Sequence, residues 1–492
     1  MSVEYSYSEI TTAKDGNKIP LCKNISSSQE ISLHSKYNPI REAEAFAANI
    51  DTNCLFFVIL GLAGGYHVKK IIEKCPEAKI LAVEISKPSI DFLMGIPVVK
   101  ELSKNKNIHI TDIEHLGEKL LALYKPAIHG NLMLLSLRQW ETIFPKEAEI
   151  CRSKINQTIK LLAADYSVQS HFGKIWQKNI ISNLSVAEKT KSFQDVKKDI
   201  SLQTHKTAAI IAAGPSLDEN IKRLRSNRNA YFIIATDTAF SSLTKQGIQS
   251  DAVVSIDGQM ISHQHYMEQI PKSTLYVFDL CASSPAVRKV LGTTDNVIFA
   301  ETGHPLAQYA SMFTGKRNFM HLEAGSGTVT IAAANLATTL GFSKIEFFGA
   351  DFSYIDGRPY CRGTYLETQF HSKSTKFDTA EKLYSAIMYR TPVIKISENK
   401  ITTEILNAYK DSLADFMKHR NKNIQDGLQP GRFDFKNFKL TYCNDLRNAF
   451  KSEDNIDEAS FAFTTLLPLC AKIGKGSAFL AYLKTLRYTE RI

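Results

Sequence analysis

The feature that most constrains this chain is a series of short, uninterrupted apolar runs. Each is followed at once by small or acidic residues and then by a stretch with helical spacing. The first, Leu55–Leu60 (LFFVIL), leads into Gly61-Leu62-Ala63-Gly64-Gly65 and a helical stretch from His67. Further runs are Ile80–Glu84, Ile108–Ile110 and Leu132–Leu135, then Ala208–Ala213, Tyr231–Ala235, Ala252–Ile256, Leu275–Phe278, Val297–Ala300 and Ile345–Phe348. Strands that are apolar at every position have both faces buried, as in a parallel sheet covered by helices on each side. The expectation is an α/β chain with two doubly wound, Rossmann-like domains, at residues 1–165 and 205–395, separated by a charged helical connector over 166–204. The β signal fades after residue 395, and helical spacing over 402–423 and 457–488 predicts a C-terminal helical domain, residues 396–492.

Composition narrows the function classes. The 492 residues are 44% hydrophobic and 22% charged, ordinary for a soluble chain, and no apolar run is long enough to span a membrane. The N-terminus MSVEYSYSEI has neither a basic nor an apolar leader region, so a cytoplasmic location is expected. The eight cysteines form no C-x-x-C pair and read as reduced core thiols. A net charge of +10 favours anionic partners, but the lysines and arginines are dispersed, which argues against nucleic acid.

The chemistry-bearing residues lie at strand ends of the second domain. Gly214-Pro215-Ser216 follows the first strand, where glycine permits close backbone approach and Ser216 can cap the next helix while facing a phosphate. Asp237, Asp257-Gly258 and Gly349-Ala350-Asp351 follow three others. In open α/β sheets, ligands bind beyond the carboxyl ends of strands. Clustered aspartates there would meet ribose hydroxyls or a divalent cation. Ser326-Gly327-Thr328 opens an apolar helix, a place for a nucleotide phosphate.

These motifs, in order, resemble the core of motility accessory factor proteins: AAGPSLDENIKRL, IIATDTAFSSLTKQGIQSDAVVSIDG and AGSGTVTIAAANLATTLGFSKIEFFGADFSYIDG. Upstream, Leu33–Phe46 and Ile59–His67 resemble that family's N-terminal domain. The core is also similar to bacterial sialyltransferases that use CMP-activated sialic acid. That likeness implies a nucleotide site at Gly214, Pro215, Ser216, Ser326, Gly327, Gly349, Asp351 and Phe352, with Tyr354 and Tyr360 at the donor phosphate. Tyr354 is offset by one residue from the family pattern. His371, in Phe370-His371-Ser372-Lys373, is the implied general base, with His304 in reserve. The resemblance implies transfer of a nonulosonic acid from a CMP-sugar donor to serine or threonine of flagellin.

Three other readings stand beside it. Gly61, Gly64 and Gly65, with Glu84 at the next strand end, resemble an S-adenosylmethionine or dinucleotide site, which would make a methyltransferase. Archaeal pterin diphosphokinases share the core motifs. A non-catalytic flagellin chaperone is the binding-protein alternative.

Overall fold

The computed structural model describes residues 5–25, 27, 29–325, 327–420, 432–473 and 477–492. The chain divides into two compact units, residues 1–173 with 467–478, and residues 174–466 with 479–492.

The first unit opens with an antiparallel sheet that its sequence did not announce: β1 (Tyr5–Thr12), β2 (Lys18–Asn24) and β3 (Glu30–Ser32). Four parallel strands follow, β4 (Phe56–Leu60), β5 (Lys79–Glu84), β6 (Ile108–Asp112) and β7 (Leu132–Ser136), in the order β6-β5-β4-β7. Helix α1 (Tyr66–Lys74) follows β4. Both faces of β4 are buried because its side chains alternate between two cores. Phe56, Val58 and Leu60 join Trp140 and Ile143, while Phe57 and Ile59 join Val68, Ile71 and Leu93.

The unit boundary falls inside a single helix, α2 (Pro145–Leu184), so the expected connector over 166–204 is no separate element. Its first residues continue a helix that begins 21 positions earlier, and its last form α3 (Phe193–Ser201), packed on the second sheet. The expected C-terminal domain is not a compact unit either. Most of residues 396–492 belong to the second unit and 467–478 to the first.

The second unit is built on seven parallel strands: β8 (Thr207–Ile211), β9 (Tyr231–Thr236), β10 (Ala252–Ser255), β11 (Leu275–Asp279), β12 (Val297–Glu301), β13 (Met320–His321) and β14 (Ile345–Phe348). Their spatial order is β13-β12-β11-β10-β9-β8-β14. The chain steps outward from β8 to β13 and then returns to place β14 on the other side of β8. That reversal makes the β8/β14 edge a topological switch point, where diverging loops leave a crevice at the carboxyl ends.

Helices α4 (Leu217–Ser226), α5 (Asp237–Lys245) and α6 (Ser284–Leu291) connect successive strands. Helix α7 (Val329–Leu340) makes the return crossover and is buried along nearly its whole length among alternate residues of the sheet, including Ile210, Phe232, Ile234 and Val254. Beyond β14 come the small antiparallel strands β15 (Tyr354–Ile355), β16 (Ile394–Lys395) and β17 (Lys400–Thr402), in the order β15-β17-β16. Between β15 and β16 lie α8 (Tyr365–Lys373) and α9 (Ala380–Met388), and α10 (Glu404–His419) follows β17. Leu413 and Phe416 of α10 join the core beneath α7. The two parallel sheets and the C-terminal helices agree with the fold class read from the sequence. All eight cysteines are buried and free.

Candidate functional site

At the β8/β14 switch point the strand ends enclose a cleft of about 300 Å³. Its walls are Ala212–Gly214 after β8, Thr236 and Thr238 around the end of β9, Gly327–Thr330 at the start of α7, and Gly349–Tyr354 after β14. Pro359 and Tyr360 close one side, and Leu406 and Tyr409 of α10 line another. Of the residues singled out in the sequence, the cleft gathers Gly214, Gly327, Thr328, Gly349, Asp351, Phe352, Tyr354 and Tyr360. Ser326 lies outside the described residues.

The other sequence candidates have different work. Ser216 forms no side-chain cap on α4. Its hydroxyl donates to Asp351 Oδ1, and its amide donates to Asp351 Oδ2 at 2.9 Å. The Gly214 turn and the Asp351 loop are thereby tied together. A Cβ on Gly214 would stand 2.3 Å from Asp351 Oδ2 and 2.5 Å from the Gly349 carbonyl oxygen. The close approach that requires glycine is thus between two loops of the protein, and Pro215 does not line the cleft.

Asp237 is buried, accepting from Ser255 Oγ (2.6 Å) and the Thr238 amide (2.7 Å), so it joins the ends of β9 and β10. Asp257 accepts from the Gln259 amide (2.9 Å) and Ser262 Oγ (2.6 Å), shaping its own turn. A Cβ on Gly258 would strike Trp176 and the Cys281 carbonyl at 2.9 Å, so this glycine serves packing. Of the three strand-end aspartates, Asp351 alone lines the cleft, and among the described residues no three His, Cys, Asp or Glu side chains form a metal set.

What the cleft offers is an anion-friendly floor and a phenolic wall. Thr328 caps α7, accepting from the Thr330 amide at 3.3 Å, and the first-turn N–H groups carry the positive end of the helix dipole. Gly327 has φ +89° and open space where a side chain would be, so glycine is needed there for backbone conformation. Burial pushes the Tyr354 and Tyr360 phenols above their ordinary value, with Arg390 acting in the opposite direction on both. Both are therefore neutral hydrogen-bond donors near pH 7, and Arg390 is a nearby cation. Phe352 holds φ +46°, an unusual value for a bulky residue, and its carbonyl is anchored by Thr402 Oγ1 at 2.8 Å.

Neither histidine expected as a base lines the cleft. His371 is exposed on α8, its ring edge-on to Tyr384 at 6.5 Å. His304 is buried, accepts from the Leu306 amide through Nδ1, and has no partner for Nε2 among the described residues. Burial pushes it down to about 3, too weakly basic for neutral-pH proton transfer.

Leu406 and Tyr409 escaped the sequence reading. Their signal was the 406/409/413/416 spacing of one helical face, whose last two members are core.

The first unit's glycine turn has been closed by its own side chains. Glu84 is fully buried, accepting from Trp140 Nε1 (2.9 Å), Tyr7 Oη (2.9 Å) and the Leu62 (3.2 Å) and Ala63 (3.3 Å) amides. A Cβ on Gly61 would meet Trp140 at 2.6 Å, and one on Gly64 would meet Tyr66 at 2.8 Å and His34 at 2.9 Å. The acidic residue that would face a ribose is saturated by protein donors.

Residues 178–357 match the family model described as 6-hydroxymethylpterin diphosphokinase MptE-like. An uncharacterised protein of Treponema pallidum (strain Nichols) is 38% identical over 155 residues, 32% of this chain and 71% of that protein. A second from the same organism is 36% identical over 166 residues, 34% of this chain and 56% of its own length. The solved structure of a Maf glycosyltransferase from Magnetospirillum magneticum AMB-1 aligns over 98% of this chain and 89% of its own, with 14% identity and a TM-score of 0.49.

Proposed function

The chain belongs to the same family as the Treponema pallidum protein to which it is 38% identical, and we propose that its second unit is a glycosyltransferase of the motility accessory factor type. The reading is transfer of a nonulosonic acid from a CMP-sugar to serine or threonine hydroxyls of flagellin in the cytoplasm. The observation that carries it is the convergence of separate motifs, Gly214, Gly327-Thr328, Gly349 to Phe352, Tyr354 and Tyr360, on one cleft at the β8/β14 switch point.

In such a transfer the acceptor oxygen bonds to the anomeric carbon as the bond from that carbon to the phosphate oxygen breaks. Charge builds on the leaving phosphate. The neutral phenols of Tyr354 and Tyr360 and the first turn of α7 are suited to stabilise it, because preorganised donors act where charge develops. Under this reading the hydroxyl's proton goes to an oxygen of the departing phosphate, since His371 is exposed and does not line the cleft.

The family-model match favours a second reading, diphosphoryl transfer from ATP to a pterin alcohol. Titration calorimetry of the whole chain separates them. Binding of CMP, with intact-mass evidence of sugar on flagellin after co-expression with a nonulosonate pathway, supports the first. Binding of ATP with pterin diphosphate formation, and no CMP binding, replaces it with the second. The plugged crevice of the first unit opposes the methyltransferase alternative.

A further inference from the structure

Tyr360 reaches the cleft from a segment with little regular structure. Between β15 and α8 the chain passes through Gly357, Pro359 and Gly363, and both glycines have positive φ. A loop of this composition, left to itself, would sample many positions, and a phenol on it would be a poor stabiliser of a defined phosphate.

Ser241 and Ser242 hold the far end of the loop, their hydroxyls donating to the Gly363 and Arg362 carbonyls, and one carboxylate holds the stretch on both sides of Tyr360. Asp218, near the start of α4, accepts from Arg358 Nη1 at 2.6 Å through Oδ2 and from the Arg362 amide at 2.9 Å through Oδ1. The two donors lie two residues before and two residues after Tyr360, so the carboxylate brackets it. Between them, the Cys361 amide donates to the Ala213 carbonyl at 2.8 Å. Asp218 is itself fixed to the Gly214 turn, because its amide donates to the Pro215 carbonyl at 3.2 Å. The wall that carries Gly214 and the loop that carries Tyr360 are thus tied together at Asp218 and at the Cys361–Ala213 bond. The pair is largely shielded, with Arg358 30% and Asp218 23% exposed at the side chain, so it is not an ordinary solvated surface bridge.

We propose that Asp218 is a positioning residue that sets the Tyr360 hydroxyl against the anionic group of the ligand by holding Arg358 and the Arg362 amide. It does not touch the ligand itself: Asp218 is absent from the cleft lining, whereas Pro359 and Tyr360 are present. This rests on the reading of the cleft as a nucleotide-sugar site, but its first test does not.

Hydrogen–deuterium exchange of the full chain, comparing wild type with Asp218→Asn and Arg358→Ala, reads the clamp directly. The expected result is faster exchange confined to the peptide spanning 356–364, with an unchanged melting temperature. Unchanged exchange in both variants overturns the clamp, whatever the cleft binds. The second test is a double-mutant cycle on binding of CMP, or of ATP if the wild type binds that instead. Asp218→Asn and Tyr360→Phe should each weaken binding by about 10- to 100-fold, the range for a hydrogen bond to a charged group. Asp218→Asn in the Tyr360→Phe background should then add less than about threefold, because a positioned group that is gone cannot be mispositioned. Full additivity means Asp218 acts otherwise than through Tyr360 and refutes the assignment. Absence of CMP binding by the wild type counts against the proposed function and leaves the exchange result to decide the clamp.

Discussion

Gly214→Ala separates two explanations of the same glycine. If glycine is there so that a ligand can approach the backbone, the alanine variant should fold normally and lose binding. The structure gives a different cause. A Cβ would lie 2.3 Å from Asp351 Oδ2, 2.8 Å from its Cγ and 2.5 Å from the Gly349 carbonyl oxygen. Gly214 is not among the positive-φ glycines, so alanine's backbone preference is not at issue and the clash alone acts. The carbonyl belongs to a loop already pinned by the Gly214 amide at 2.8 Å, so the Asp351 carboxylate is the group that must move.

Moving it strains or breaks two bonds from Ser216. At about 1.5–3 kcal/mol for each bond to an ionised group, roughly 6 kcal/mol is an upper bound. Water can reach this half-buried rim, and overpacking by one methyl typically costs about 1–3 kcal/mol, so the expected net is about 2–4 kcal/mol. At about 1.5 °C per kcal/mol for a unit of this size, the melting temperature should fall by about 3–6 °C. Differential scanning fluorimetry and CMP titration on the same preparations provide the assay. Gly327→Ala is the control: open space surrounds its Cβ, and only the left-handed backbone is penalised, by about 1–2 kcal/mol. A Gly214→Ala protein that melts with the wild type yet fails to bind would refute the loop-against-loop account and restore the ligand explanation.

Three further outcomes follow from particular side chains. Asp279 is buried, and burial pushes it up to about 7 from an ordinary 3.8 despite the Thr302 hydroxyl bond. Its contribution favours the fold below pH 4 and is lost as pH rises through 7, so Asp279→Asn should raise the melting temperature at pH 8 more than at pH 5, and equal shifts at both would contradict this. His371→Ala should glycosylate flagellin at close to the wild-type rate, read by intact mass, because the exposed α8 side chain does not line the cleft; a loss of about 10²–10⁴-fold would reinstate it as general base. S-adenosylmethionine should give no calorimetric signal with the whole chain, since Trp140 and Tyr7 hold Glu84; micromolar binding would show that the crevice opens.

The sequence by itself determined the parallel sheets, because continuous burial on both faces leaves no choice but apolar residues along each strand, as in Phe56–Leu60 and Tyr231–Thr236. It also marked the ends of β8, β9 and β14 that line the cleft, since glycine and aspartate are favoured where a strand turns sharply into a helix. What it did not carry was which of those residues face inward to the cleft and which face each other. Asp237, Asp257 and Asp351 look alike as a strand-end series. Only the tertiary structure assigns one to bridging β9 and β10, one to its own turn, and one to clamping Ser216 at the cleft rim. The same is true of Gly61 and Gly258, whose missing side chains make room for indole rings 79 and 82 residues away. Tyr409 and Asp218 entered the picture for the same reason. A hydrogen bond or a wall contact between distant segments depends on how the sheet order reverses at β8, and local residue patterns hold no record of that reversal.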